Sequence, residues 1–409
     1  LKGGFSFGDC QEDDARLTLE VIEAAQQQGA ITVNHAKVTK LLTDNNAVCG
    51  AQVQDRVTGE TLDVRATLTI NAAGPWAAGL TSTIKPQTRG ELKLVKGVHL
   101  VMPPILNAAG TQCTDAFFVT ARSDGRVFFI IPWYDATLVG TTESIINDPT
   151  ELRVTTAEAQ YLLDESNAQL SGVAWTLADI RGAFSGARTL QNENKDANST
   201  TREFKVLEPI ERMLMPIGGK YTSARADSAE VIDLVLKKLG LPDKENTTAR
   251  HLLPRTPDNY ADWLDDAIAL AQTTGLDERS AYWCARRYGR KLSALLDLVQ
   301  HDASLAQRIT PNLPFIRAEL VLGVRDEMAL SLTDLLRRRM PLLVLTPPDE
   351  ALVNDACTIV APLLNWDAGR CAQEKQAVLD VWVLPKDRCC RHTVKIFKNH
   401  YVTAKRLAV

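Results

Sequence analysis

The sequence lacks a positive charge excess, a long apolar run, a paired-cysteine motif and both common glycine-rich phosphate turns. Across 409 residues, 46 Lys and Arg stand against 50 Asp and Glu, a net charge of −4. Nucleic-acid-binding domains are usually basic, so a main role there is set aside. No apolar stretch reaches the roughly 18 residues of a membrane-spanning helix. "HLVMPPILNAAG" is broken by Pro103 and Pro104, and "MPLLVLTPP" stops short. The eight cysteines (Cys10, Cys49, Cys113, Cys284, Cys357, Cys371, Cys389 and Cys390) are scattered, and none forms a CxxC pair. That spacing argues against a disulfide-stapled scaffold and a zinc site, and no metal is expected. Reduced thiols in a cytoplasmic compartment are the plain reading, since no stretch reads as a secretory signal.

What is present is ordinary in bulk: 45% hydrophobic and 23% charged residues, in a chain long enough for two or three domains. Residues 13–29, "DDARLTLEVIEAAQQQG", read as a helix with an apolar face of Leu17, Leu19, Val21, Ile22 and Ala25. Asp13 or Asp14 caps it and Gly29 closes it. Short β-like runs follow ("AITVNHAKVTKLL", "AVCGAQVQD", "ATLTINAAG"), an α/β arrangement. Residues 92–146 hold "LKLVKGVHLVM", "AFFVTA", "RVFFIIPW" and "ATLVGTTE", the pattern of an antiparallel sheet. "LQNENKDANSTTRE" interrupts it as a polar loop. "ADSAEVIDLVLKKLG" is an amphipathic helix, and from about residue 245 a 3.6-residue period persists to about residue 384.

"PIGGKYTSAR", residues 216–225, concentrates glycine, hydroxyl and cationic residues. It is not the phosphate loop of nucleotide hydrolases: Leu214 and Tyr221 stand where that loop needs a glycine and a Ser or Thr. Instead a strand, "RMLMPI", runs through Gly218 and Gly219 into a helix starting near Thr222. Free N–H groups at such a start suit an electron-rich ring or a phosphate.

"DDARLTLEVIEAAQQQGA", "INAAGPWA", "KGVHLV", "DGRVFFIIPW", "LVGTTE", "FSGARTL" and "GGKYTSAR" occur in the order and spacing of the FAD-dependent glycerol-3-phosphate dehydrogenases. "RRYG", "VRDEMALSLTDLLRRR" and "LNWDAGR" resemble that family's C-terminal domain, so the resemblance covers about residues 3–375. It implies an α/β (α+β) flavoprotein fold of the glycerol-3-phosphate dehydrogenase and amino-acid oxidase type, with an all-α C-terminal domain. The domains expected are residues 1–90 (FAD-binding), 91–205 (antiparallel-sheet substrate domain), 206–240 (return to the FAD-binding domain), 241–385 (helical) and 386–409 (basic tail).

The resemblance implies FAD as cofactor. It places Gly218, Gly219, Lys220, Tyr221 and Thr222 against the pyrimidine side of the flavin, Ala73 and Gly74 in a second flavin-binding segment, and Val38 at the adenine. It implies oxidation of sn-glycerol 3-phosphate to dihydroxyacetone phosphate, with electrons passing to quinone or another acceptor. A phosphate monoester needs clustered cations, and the family pattern offers Arg188, Arg202 and Lys220. His99 is the candidate base, while Arg188 and Lys220 could also stabilise a developing alkoxide; the division of labour among the three stays open. Taken alone, a strand histidine is more often a satisfied side chain and Arg188 a surface arginine. Arg225 reads as pairing with an acidic neighbour, and "RRYG" and "LLRRR" as solvated faces or interdomain ion pairs.

The sequence departs from the family in two ways. The GxGxxG turn that holds the FAD pyrophosphate is absent, and Leu1 stands directly before "KGGFSFGDC", so an N-terminally truncated chain is expected. Thr189 replaces the usual proline after Arg188. Two alternatives follow: a non-catalytic or incomplete fragment, and a related amine- or amino-acid-oxidising flavoenzyme. The basic residues of 386–409, with Phe397 and Tyr401, suggest peripheral contact with the cytoplasmic face of an anionic membrane; a solvated tail is the other reading. A homodimer is a further possibility.

Overall fold

The computed structural model describes residues 4–107, 109–192 and 202–381. The basic tail, with Cys389, Cys390 and His400, and most of the polar loop expected near residue 190 lie outside them. The described residues form two compact units. One joins the segment through Thr32 to the helices from Leu252 onward, and the other is formed by Val33–His251.

Helix α1 (Asp14–Gln27) starts where Asp13 accepts the Arg16 N–H, and Gly29 ends it at φ +90°. Its expected apolar face is only half-buried, and Val21 is exposed. The buried residue on this helix is Arg16, whose guanidinium grips both oxygens of Glu327 at 2.8 and 2.9 Å and lies 4.5 Å over the Tyr288 ring. This helix therefore belongs with the C-terminal helices, whereas its place in the sequence put it with the strands that follow. The reason is an ion pair spanning 311 positions, which local periodicity cannot reveal.

In the second unit, β1 (Ala36–Asp44), β2 (Ala47–Asp55) and β3 (Thr61–Arg65) form an antiparallel sheet in that order. Strand β4 (Thr69–Ile70) leads into a 3-10 turn at Gly74–Trp76 and two short helices, α2 (Ala77–Thr81) and α3 (Thr88–Glu91). Then come β5 (Leu92–Met102), β6 (Phe117–Thr120), β7 (Val127–Trp133), β8 (Ala136–Gly140), β9 (Ser144–Ile146), α4 (Thr156–Gln169) and β10 (Gly182–Gln191). These strands make the expected antiparallel sheet, ordered β10-β5-β8-β7-β6, with β9 also on β5. Strand alternation splits β5. Val98, Leu100 and Met102 pack with Leu162 and Leu163 of α4, while the intervening residues face the other way. Strands β11 (Lys205–Ile210) and β12 (Met213–Ile217) form a hairpin, and β12 pairs in parallel with β4. Helix α5 (Ala224–Leu239) follows and closes on Gly240 at φ +63°.

The helical unit continues with α6 (Tyr260–Thr273), α7 (Glu278–Tyr288), α8 (Leu292–His301), α9 (Arg317–Asp326), a π-helical turn at Asp334–Arg339, α10 (Leu342–Leu345), α11 (Glu350–Leu364) and α12 (Ala368–Val381). Its core gathers Ala281, Cys284, Tyr288, Leu295, Ile316 and Leu322. Within it Arg286 of "RRYG" and Arg338 of "LLRRR" are exposed, as the solvated reading expects, but Arg287 and Arg339 correct it. Arg287 is buried in a two-pronged pair with Glu319, at 2.8 and 2.9 Å, and Arg339 donates to the Glu327 carbonyl. Both partners lie inside the same unit, on segments distant in sequence. Among the described residues no helix is long and apolar enough to cross a membrane.

Candidate active site

The parallel pair β4–β12 places two loops side by side, because both strands end in the same direction. Asn71 at the end of β4 donates its N–H to the Leu214 carbonyl (2.8 Å), and the chain turns at Gly74 (φ +51°) into Gly74–Trp76. From β12 the chain enters Gly218 and Gly219, at φ +72° and +79°. Only glycine holds such angles without strain. A Cβ at Gly218 would run into the Glu203 carbonyl, and one at Gly219 would come 2.7 Å from Asp227. Clefts beyond the carboxyl ends of parallel strands are the usual ligand sites of open α/β sheets.

The glycine turn is tied through its backbone to β10 and to the segment before β11. Gly218 donates to the Thr189 carbonyl (3.1 Å) and Gly219 to the Arg202 carbonyl (2.9 Å). Ser223 links the following turn to α5 by donating to Asp227 (2.7 Å). Lys220, Tyr221 and Thr222 are exposed beyond this anchor. The turn is thereby fixed through its backbone beside Thr189 and Arg202.

On the large sheet, β10 and β5 pair so that Phe184 faces His99, Gly186 faces Gly97 and Arg188 faces Val95. Opposed residues share a face, and His99 and Arg188 lie on the face turned away from α4. His99 is stacked on Phe184, with ring centroids 5.0 Å apart and planes 8° apart. Across β8 stands Gly140, where a Cβ would come 2.7 Å from the imidazole Cγ. Burial, with a smaller push from the Arg188 charge, lowers the His99 pKa from 6.5 to about 4. The ring is therefore neutral at pH 7.

Arg188 and Arg202 converge on one carboxylate, Glu143, in the turn between β8 and β9. Glu143 is 7% exposed and meets both arginines through the same oxygen, Oε1. Arg202 hydrogen-bonds to it directly; Arg188 Nη1 stands 3.7 Å away, an ionic contact without a hydrogen bond. Burial first, then the nearby Arg202 charge, lowers the Arg188 pKa, partly offset by Glu143. The guanidinium stays protonated. Gly97 makes room for it, since a Cβ there would press on Thr141 and stand 3.2 Å from Arg188 Nη1.

Three participants lay inside the quoted motifs without an assigned role: Glu143 ends "LVGTTE", Phe184 opens "FSGARTL", and Gly97 sits in "KGVHLV". An acidic residue after two threonines carries no sign of its partner, because Arg188 is 45 positions on. Val38 lies elsewhere, paired with Val53 in the β1–β2 hairpin. Arg225 donates to Thr248 Oγ1 (3.4 Å) rather than to an acidic neighbour, and is exposed. Among the described residues no group of three His, Cys, Asp or Glu could hold a metal ion.

Residues 1–205 match the family described as FAD dependent oxidoreductase, and residues 258–371 match the C-terminal domain of alpha-glycerophosphate oxidase. The chain is 32% identical over 352 residues to the aerobic glycerol-3-phosphate dehydrogenase of Staphylococcus saprophyticus, covering 83% of this chain and 62% of that protein. It is 31% identical over 380 residues to the corresponding enzyme of Staphylococcus haemolyticus, covering 90% of this chain and 67% of that one. The structure of the glycerol-3-phosphate dehydrogenase of Bacillus halodurans, solved with FAD, superposes with a TM-score of 0.74 at 26% identity, over 94% of this chain and 75% of that one. Family match, relatives and geometry agree that the chain belongs to the FAD-dependent oxidoreductases, in the group that holds the aerobic glycerol-3-phosphate dehydrogenases.

Proposed function

We propose that this protein oxidises sn-glycerol 3-phosphate to dihydroxyacetone phosphate with FAD, passing the electrons to quinone or another acceptor. The observation that carries this reading is the convergence of Arg188, Arg202 and the Gly218–Lys220 turn near a half-buried, neutral histidine. Bound FAD would supply the two-electron acceptor for the C2 hydride. The backbone of Gly218–Thr222 and of Ala73–Gly74 would hold its ring; a Cβ at Gly74 would meet nothing within 4 Å, so the strand end is open to a planar group. Val38 is the proposed adenine contact.

Arg188, Arg202 and Lys220 grip the phosphate, which points the carbinol carbon along the sheet towards His99. The neutral imidazole accepts the C2 hydroxyl proton. Its low proton affinity is partly set by the Arg188 charge. A phosphate on Arg188 offsets that charge and raises the basicity of His99 when substrate is present. Lys220 and the start of the following turn would lie at the pyrimidine side of the ring, where positive charge suits an electron-rich group. Peripheral membrane contact, cytoplasmic placement and a homodimer complete the reading.

The test is spectroscopic. The chain is mixed with FAD, freed of excess and given glycerol 3-phosphate without oxygen. A retained flavin band that bleaches is the expected result. A retained band that bleaches with an amino acid instead would move the substrate to the amine class, and no retained band would count against flavin chemistry by this chain alone.

A further inference from the structure

We propose that Glu143 is a positioning residue that holds Arg188 and Arg202 together as a clamp for a phosphate dianion. The proposal rests on the reading of these arginines as the substrate's phosphate site.

Two guanidinium groups do not converge unaided. Their charges repel, and the effect of Arg202 on Arg188 registers in the lowered pKa of the latter. A single oxygen, Glu143 Oε1, meets both groups. The carboxylate is 7% exposed, and a buried carboxylate is retained only with charged partners. Its backbone is tied down as well, the Glu143 carbonyl accepting from Arg126 Nη1 at 3.2 Å. Glu143 is therefore a fixed post, and the arginines are the parts being placed.

The pairing is incomplete on one side. Among the described residues Arg188 Nη1 has no hydrogen-bond partner, although the atom is buried. At 3.7 Å from Oε1 it keeps a donor unpaired, and Gly97 lets the guanidinium pack against β5, where a Cβ would stand 3.2 Å from Nη1. An N–H held buried and unbonded invites an acceptor. With Lys220 taken as the third cation of the proposed site, Arg188, Arg202 and Lys220 against Glu143 leave a surplus of two positive charges. That matches a phosphate monoester above its second pKa of about 6. Holding the clamp ready before substrate arrives lowers the ordering cost of binding.

The experiment uses inorganic phosphate as the probe, by calorimetric titration of the full chain at pH 7.5 and 5.5, so flavin content does not enter. The wild type is expected to bind more tightly at pH 7.5. Glu143→Gln is expected to bind about tenfold to a hundredfold more weakly at pH 7.5, since a charge-assisted pair has been lost. Glu143→Asp, one methylene shorter but still charged, is expected to fall between the two, and it decides the matter if the glutamine variant does not fold. In the enzyme assay Glu143→Gln raises KM far more than it lowers kcat, which a merely structural role would not select. A folded Glu143→Gln, or with that variant unfolded a Glu143→Asp, that binds phosphate as tightly as wild type, or more tightly, overturns the proposal and leaves the phosphate site standing. A wild type that binds no phosphate at either pH overturns the site reading itself, and is recognised because no variant is needed to see it.

Discussion

In the helical unit, Arg16 and Arg287 each grip both oxygens of a carboxylate, Glu327 and Glu319, at 2.8–2.9 Å, and Arg255 adds a second cation to Glu327. At the large sheet, Arg188 and Arg202 share one oxygen of Glu143, and Arg188 is left with a donor in hand. Both regions set arginine against a glutamate carboxylate, but Arg16 and Arg287 are buried while Arg188 and Arg202 are 34% and 42% exposed, and only in the first region are both carboxylate oxygens gripped. The two-pronged pairs lock segments far apart in sequence, and the half-filled one stands where a glycine turn and a neutral histidine converge. A buried carboxylate gripped through both oxygens ties distant segments together, whereas partly exposed arginines that share one oxygen stay within reach of a ligand.

The largest effect expected from this contrast is on stability. Glu327→Gln leaves Arg16 and Arg255 buried without their shared anion, and should cost about 3–5 kcal/mol in denaturant unfolding. Acid should act in the same direction. Burial raises the Glu327 pKa, but Arg16 and Arg255 outweigh it and hold it near 2, against 4.5 unperturbed. Its contribution is complete above about 4.5 and is lost as pH falls towards 2.

Arg188→Ala should do the reverse: unfolding free energy within about 1 kcal/mol of wild type, but kcat/KM at least about a hundredfold lower, as for loss of a hydrogen-bonded charge contact. If it unfolds the protein as Glu327→Gln does, the division between the two regions fails.

His99 sharpens the comparison. Its imidazole should titrate near pH 4 by NMR, and added inorganic phosphate should move that midpoint upward by neutralising Arg188. Since the folded pKa lies below 6.5, burial of neutral His99 favours folding fully above that value, and the advantage fades as pH falls from 6.5 to about 4. A midpoint unmoved by phosphate would separate His99 from the anion site. Gly140→Ala should displace the imidazole from Phe184 and raise its midpoint towards 6.5. The smallest effect belongs to Val38→Ala: a half-exposed hairpin residue offering only its backbone should change FAD affinity less than about twofold.

The sequence by itself determined the strands of the large sheet and the helical C-terminal part. Alternation, 3.6-residue periodicity and glycine turns are local properties, so they survive in one dimension. It also carried Gly218 and Gly219, whose positive φ needs glycine at those positions. Only the tertiary structure decided that α1 joins the C-terminal helices, that Arg287 is a buried tie, and that Glu143 stands between Arg188 and Arg202. These are pairings of charges across 311, 32 and tens of positions, made when burial removes water and leaves each ion dependent on its partner. A sequence names the ions; the fold chooses which of them meet.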